Sequence, residues 1–309
     1  MSNAIRYFKA LSDETRLRLT YVLERYELSV NELVSILEMG QSRVSRHLKI
    51  LTEAGLLSSR RDGLWVFYSS VKEGEGAAFL KAAMPFLDED AEMRADVEMA
   101  ARIIEDRALK TRQFFNTIAE HWDTLSREVL GGFDLAGAVC DTMPEGCDTS
   151  VDLGCGTGIV LERMRGRARQ IIGVDGSPRM LELSRRRLAG VEGDPEGVSL
   201  RIGELSHLPL RDCEADFASI NMVLHHLSNP ENALAEIRRV LRSGGLLVVA
   251  DFDRHTQERM RLDYGDLWLG FDEATMARLR HAASFEVVST TRYPVEQGLA
   301  LNLTLARRL

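Results

Sequence analysis

VDLGCGTG, residues 151–158, decides the fold of the larger part of this chain. An apolar, strand-like run ends at Leu153, glycines follow at alternate positions, and IVLERM then reads as a helix. Glycine at Gly154, Gly156 and Gly158 lets backbone lie directly against a ligand near the start of a helix. Such a loop is a weak signal by itself, and two neighbouring features sharpen it. The spacing is GxGxG, with Ile159 where a dinucleotide fingerprint needs a third small residue. Asp175 closes the next apolar run 21 positions after Gly154, placed to accept from both ribose hydroxyls of a nucleoside.

Working outward, SVDLG, QIIGVDG, VSLRIGE, ADFASINM, GLLVVADF, FEVVST and ALNLTLA alternate with helix-like segments, the pattern of an α/β sheet with crossover helices. From about residue 112 to 309 these strings resemble the class I S-adenosylmethionine-dependent methyltransferases. IIGVDGSPRML (171–181) looks like the ribose-binding strand end and following helix, IGELSHLPL (202–210) like the adenine-flanking loop, and DFASINMVLHHL (216–227) like the fourth strand and its active-site end. LRSGGLLVVADF (241–252) completes the series.

The resemblance implies a Rossmann-like sheet of seven strands, the last antiparallel, with S-adenosylmethionine or S-adenosylhomocysteine across the carboxyl ends of the strands. It assigns Asp152 to the glycine loop and the ligand's amino group, and Asp175, Gly176 and Met180 to the ribose side. Glu204 would accept from the adenine amine beside the Leu205 backbone, and Asn221 would lie near the methionine portion. Cys155 fills the loop as a small side chain. RQFFNTIAEHWDTL (112–125) resembles a lid helix, with Phe115, His121 and Trp122 as covers. His225, His226 and Asn221 are the weak catalytic candidates. A sulfonium is already an activated methyl donor, so positioning and desolvation alone can drive transfer, and no single residue certifies an enzyme.

The first seventy residues read differently. Ser12-Asp13-Glu14 starts a helix with Leu17, Leu19, Val22 and Leu23 on its apolar face, and Ser29 starts a second, VNELVSILEM, expected to close at Gly40. In QSRVSRHLKILTEAGLL (41–57), Val44, Leu48, Leu51 and Leu56 face inward while Gln41, Ser42, Arg43, Ser45, Arg46 and Lys49 lie outside. A DNA-reading helix needs this division, because the apolar stripe docks it and short polar or basic side chains reach bases and phosphates. LLSSR and LWVFYS form a hairpin with its turn at Asp62-Gly63, and Arg60 and Arg61 flank the tip.

Over about 85 residues this part resembles the ArsR/SmtB winged-helix repressors, an α+β winged helix-turn-helix. The resemblance implies a homodimer on an inverted-repeat, double-stranded operator. Where metal-sensing members carry thiols, this chain has Ser29 and Asn31, and GAAFLKAAMPFL lacks the histidine and carboxylates of a zinc-sensing site. Hydroxyls and amides ligate soft metals poorly, so no metal is expected.

The 309 residues, 45% hydrophobic and 28% charged, suit two domains joined by a helical segment. The expected boundaries are 1–87 for DNA binding and dimerisation, 88–130 for connector and lid, and 131–309 for the nucleoside-binding domain. The net charge of −8 hides an asymmetry: residues 1–72 hold eleven Lys/Arg against eight Asp/Glu, and the acidic excess lies downstream. A polyanion partner therefore suits the first domain only. The cysteines at 140, 147, 155 and 213 form no CxxC pair, and no apolar run approaches the ~20 residues of a membrane span. A cytoplasmic protein is expected. The leading functional reading is a repressor whose operator affinity responds to S-adenosylhomocysteine or S-adenosylmethionine, with control of methionine recycling as its implied context. The alternative is an active methyltransferase on a small molecule, with arsenite a weaker choice because no thiol cluster is recognisable. A DNA methyltransferase is weaker still, because INMVLHHL stands where an NPPY-like or Pro-Cys motif would follow the fourth strand.

Overall fold

A computed structural model describes residues 3–189 and 197–309, and its packing separates into one unit ending at Arg107 and a second beginning at Ala108. In the first unit, α1 (Asn3–Leu11), α2 (Glu14–Leu23), β1 (Leu28–Ser29), α3 (Val30–Leu37) and α4 (Gln41–Ala54) precede the hairpin β2 (Leu57–Asp62) and β3 (Trp65–Ser70). The helices α5 (Gly74–Ala83) and α6 (Ala91–Ile118) follow, and α6 continues past Arg107. Asp13 caps α2 by accepting from Arg16 N. Ser29 and Glu32 form a reciprocal capping box at the start of α3. Val44, Leu48, Leu51 and Leu56 are fully buried with Leu19, Leu28 and Leu33, so the apolar stripe of α4 docks as its spacing predicts.

Two expectations are corrected here, and one element is new. The helix from Ser29 ends at Glu38, which adopts the left-handed conformation at φ 51°, while Gly40 is extended and precedes α4. A turn of only a few residues joins α3 to α4, so the reversal falls earlier than glycine placement suggested. Asp62 pairs with Trp65 in the ladder, which moves the hairpin tip to Gly63-Leu64, with Gly63 at φ 58°. Glycine with positive φ in the first central position is the mirror-turn geometry that matches strand twist. The short strand β1, pairing with β3 in register Leu28↔Tyr68, had no sequence signal of its own.

In the second unit, α7 (Trp122–Leu130) and α8 (Leu135–Cys140) lead into β4 (Cys147–Leu153), α9 (Ile159–Met164), β5 (Ala168–Asp175), α10 (Pro178–Ala189), β6 (Val198–Ile202) and β7 (Ala215–Asn221). The chain then forms α11 (Pro230–Val240), β8 (Leu241–Phe252), α12 (Arg259–Asp263), α13 (Glu273–Ala282), β9 (Phe285–Pro294) and β10 (Ala300–Arg308). The segment expected as one lid helix over 112–125 is the end of α6, a tight turn, and α7.

The seven strands lie in the order β6-β5-β4-β7-β8-β10-β9, and β10 runs antiparallel to both neighbours as expected. Strand residues alternate between two apolar layers: Val151, Leu153, Ile172 and Val174 pack on one face, Ile171, Phe217 and Val248 on the other. Strand order reverses between β4 and β7, so their carboxyl ends open the crevice where ligands of doubly wound sheets bind.

Ser29→Ala removes the acceptor side of the α3 capping box and should cost about 0.5–2 kcal/mol, read by chemical denaturation as a lowered unfolding midpoint.

Candidate functional site

On α4, Gln41, Ser42, Arg43, Ser45, Arg46 and Lys49 are all exposed, while His47 is buried beside Val44 and Leu48. The outward face therefore collects the polar and basic side chains that the sequence reading placed there. Lys49 lies 3.8 Å from Glu53, a surface pair too exposed to hold it in place. The two wing arginines differ. Arg61 is exposed, whereas Arg60 is half-buried, forks onto Glu27 at 2.9 and 3.2 Å, reaches Asp62 at 2.7 Å and lies over the Phe67 ring. Its charge is matched within the domain, so the structure separates it from Arg61 in the pair expected to flank the tip.

In the second unit the loop after β4 is held open by backbone conformation. Gly154, Gly156 and Gly158 have φ of 70°, 51° and 84°. A Cβ on Gly154 would come within 2.5 Å of Val223, and one on Gly158 within 2.4 Å of Ser184 Oγ. At Gly156 the nearest atom is Trp122 Nε1 at 3.8 Å, an ordinary contact, so the tryptophan edge lies over that position. Cys155 is buried with its Sγ against Gly173, so its side chain fills the core and only its backbone borders the loop.

Asp152 is buried near the end of β4, where its Oδ1 accepts from Ser219 Oγ at 2.6 Å and from Asn221 Nδ2 at 3.2 Å. Burial pushes its carboxyl up to about 7, against the opposing pull of those two hydrogen bonds. With Nδ2 so engaged, Asn221 Oδ1 is left buried without a partner. Asp175 accepts from Gly156 N at 2.9 Å and Ser177 N at 2.8 Å, one bond per oxygen, leaving further lone pairs on both. Burial again raises its carboxyl, opposed by the same two amides. Gly176 and Met180 follow on the turn and first residues of α10, with Met180 buried. Glu204 is exposed and 3.8 Å from Arg112, and Leu205 is half-buried against the core.

Asp123 accepts from Thr157 Oγ1 at 2.6 Å and pairs with Arg187; Asn116 accepts from Ser177 Oγ at 2.6 Å; Glu120 pairs with Arg179. These bonds dock the end of α6 and the start of α7 over the glycine loop. Phe115 then meets Trp122 and His226 edge to face at 5.2 and 4.8 Å between centroids. His121, expected beside them, is exposed.

The paired histidines lie in a tight turn after β7 and both are buried. His225 Nδ1 is 2.6 Å from Asp251 Oδ1 and its Nε2 is 3.6 Å from Asp266 Oδ1. Burial alone would depress this imidazole, but Asp251 and Asp266 hold it up at about 9. His226 donates from Nδ1 to Gly265 O at 3.2 Å, and burial together with its charged neighbour pushes it well below the ordinary range. Asp251, Asp266, Asn116 and Asp123 were missed in the sequence because each acts through tertiary placement. Met222, left-handed at φ 58° directly after β7, also gave no signal. Cys140, Cys147 and Cys155 are buried and Cys213 is exposed. Burial raises the first two thiols to about 11 and the third well above its ordinary value.

Outward basic helix with wing, and glycine loop with ribose-side carboxylate, define a winged helix-turn-helix unit joined to a class I methyltransferase fold. Comparison with known proteins agrees. The family described as "Bacterial regulatory protein, arsR family" matches residues 13–59, and that described as "Methyltransferase domain" matches residues 151–249. The chain belongs to the methyltransferases, and its first unit is similar to the arsR-family regulators, so that an ArsR-type domain is fused to an S-adenosylmethionine-dependent methyltransferase domain. It is 30% identical to a demethylmenaquinone methyltransferase of Desulfitobacterium hafniense over 63% of this chain and 80% of the relative. Over 20% of this chain it is 52% identical to the arsenic resistance transcriptional regulator ArsR1 of Pseudomonas putida, spanning 48% of that protein. The chain spans 36% of the length of a further relative, an uncharacterised transposon protein of Streptomyces fradiae. The cyclase SpnF shares the fold of the second unit at TM-score 0.54 and 18% identity, over 64% of this chain and 94% of that one.

Arg61→Ala should weaken binding to all DNA sequences and flatten the salt dependence by about one charge. Arg60→Ala should instead lower the unfolding midpoint, because it strands Glu27 and Asp62; fluorescence anisotropy against salt, paired with denaturation, separates the two.

An ionised Asp152 is costly only in the folded chain. Stability is fullest below the unfolded carboxyl value near 4 and is lost as pH rises through about 7. Asp152→Asn should therefore raise the melting temperature of the ligand-free protein at pH 8 more than at pH 5, measured by differential scanning fluorimetry.

Proposed function

We propose that this chain is a DNA-binding repressor whose operator affinity is set by S-adenosylmethionine or S-adenosylhomocysteine. The observation that carries the reading is the pairing, on one chain, of a recognition helix with its basic face outward and a strand-end crevice edged by the glycine loop, Asp152, Asp175 and Asn221. Asn221 Oδ1, buried and unpartnered, suits the ligand's ammonium alongside Asp152. Asp175 suits the ribose hydroxyls, and the glycine-loop backbone at Gly156, close to Trp122, suits the sulfur-bearing chain. Glu204 and Leu205 border the adenine side. When bound, S-adenosylmethionine brings an activated methyl group, and its demethylated product does not. His225, His226 and Asn221 are then positions beside the methyl-bearing end.

The DNA-binding unit acts as a homodimer on an inverted repeat, since one short helix and one wing give few contacts and twofold symmetry doubles them. Ile5 and Phe8 on α1 and Phe86 after α5 leave large apolar surface exposed in the single chain, and a second copy would cover it.

Methyl transfer is the second reading, favoured by likeness over 80% of a demethylmenaquinone methyltransferase.

A sensor requires reciprocal linkage, typically 5–150-fold, between nucleoside and operator. Operator titration with and without saturating S-adenosylhomocysteine should show it in the full chain, and Asp175→Ala should abolish the response while leaving ligand-free operator affinity intact. Equal operator affinity in both conditions sinks the sensor reading, and turnover with a methyl acceptor supports the enzyme.

A further inference from the structure

We infer that His225, His226 and Asp266 form a binding site for one divalent transition metal, zinc in the first instance. The ligand atoms are His225 Nε2, His226 Nδ1 and Asp266 Oδ1, the last lying 3.6 Å from one imidazole nitrogen and 3.8 Å from the other. Ligands bound at about 2.0–2.1 Å around a tetrahedral ion stand roughly 3.3–3.5 Å apart. The two separations from Asp266 are therefore within a few tenths of an ångström of coordination geometry, all three ligand atoms lie within 4.8 Å of one another, and this is the only buried trio of this kind among the described residues.

The surroundings are those of a metal site rather than a chance meeting of polar groups. Asp251 takes His225 Nδ1 at 2.6 Å, which turns Nε2 towards Asp266 and supplies the carboxylate behind a ligating imidazole that such sites use to fix ring and tautomer. The His225 carbonyl accepts from Leu267 N and Trp268 N, both at 2.9 Å, which pins the segment bearing Asp266 to the histidine turn by backbone alone. His226 Nε2 is buried without a hydrogen-bond partner, so the ring proton can reside there once Nδ1 turns from the Gly265 carbonyl to the ion. Two imidazoles and a carboxylate suit zinc and its first-row neighbours. Three protein ligands leave a fourth position, the arrangement of a zinc that also holds water or a small ligand. Phe115 rests on the His226 ring and Trp122 on Phe115, so the site lies directly beneath the aromatic cover of the nucleoside pocket.

The test uses the full-length protein, purified without a polyhistidine tag, stripped with a chelator and titrated with zinc(II), then with cobalt(II) as a spectroscopic probe. The expected results are one metal per chain by elemental analysis, visible cobalt bands of four-coordinate intensity, and a zinc-dependent rise in melting temperature. Asp251→Asn should weaken metal affinity about 10–100-fold, and Asp266→Asn should remove the cobalt bands and the thermal shift. Cys213→Ser should change none of these, since the exposed thiol lies outside the trio. Failure of the wild-type protein to take up stoichiometric zinc or cobalt overturns the inference, whatever becomes of the variants. Uptake that persists in a folded Asp266→Asn chain, or is lost in Cys213→Ser, overturns it too.

Discussion

One buried carboxylate organises the second unit. Asp152 stands opposite Ser219 in the β4–β7 register, and the hydroxyl that meets it comes from the strand across the topological switch. The same oxygen fixes the Asn221 amide, which decides the face that amide presents to the crevice. Beyond Asn221 the chain turns through a left-handed Met222 and places Val223 where any side chain on Gly154 would sit. The loops after β4 and β7 are thus shaped against each other, with the carboxylate beneath as their common anchor. Left-handed backbone at a non-glycine residue costs free energy, and its occurrence here accords with strain collecting at ligand-binding edges.

The first unit rests on matched charge. Arg18 forks onto Asp96 at 2.7 and 2.8 Å, and Arg107 binds the same Glu32 that closes the α3 capping box. Both carboxylate–arginine pairs join α6 to the helices that position α4. Half-buried pairs of this kind contribute little net stability but impose a large penalty when one partner is removed, so they specify arrangement more than they strengthen it. Ser29 gains a positive role from this. Its hydroxyl and amide are both engaged by Glu32, so this residue is part of a helix start.

Patterns of short range were legible in the sequence: the apolar stripe of α4, the alternating strands, and the GxGxG loop with its acidic partner one strand later. Each depends on the chain's own periodicity, which survives without knowledge of neighbours. What escaped depended on distant residues. Arg60 reads as a wing-tip cation until Glu27, 33 positions earlier, is found against it. The helix stop at Glu38 was misplaced because Gly40 is the usual left-handed residue, and the tight turn before α4 overrode that preference. Asp251 and Asp266 are ordinary acidic residues in sequence, and only folding brings both to one imidazole. Asn116 and Asp123 read as polar positions on an aromatic helix, and their partners lie more than thirty residues away.

The distribution of thiols bears on how this protein can be observed. Three of its cysteines are sealed in the core with their protons held tightly, so electrophiles that need a thiolate find little to attack there. Cys213 alone is exposed, just ahead of the first residue of β7, whereas the crevice opens past that strand's last residue. Seven residues of strand at about 3.3 Å each separate the two ends by roughly 20 Å. A fluorophore or spin label would attach at a single natural position, at the far end of a strand whose other end lines the crevice. The unmodified sequence thus carries its own reporter handle, remote enough to leave the crevice undisturbed.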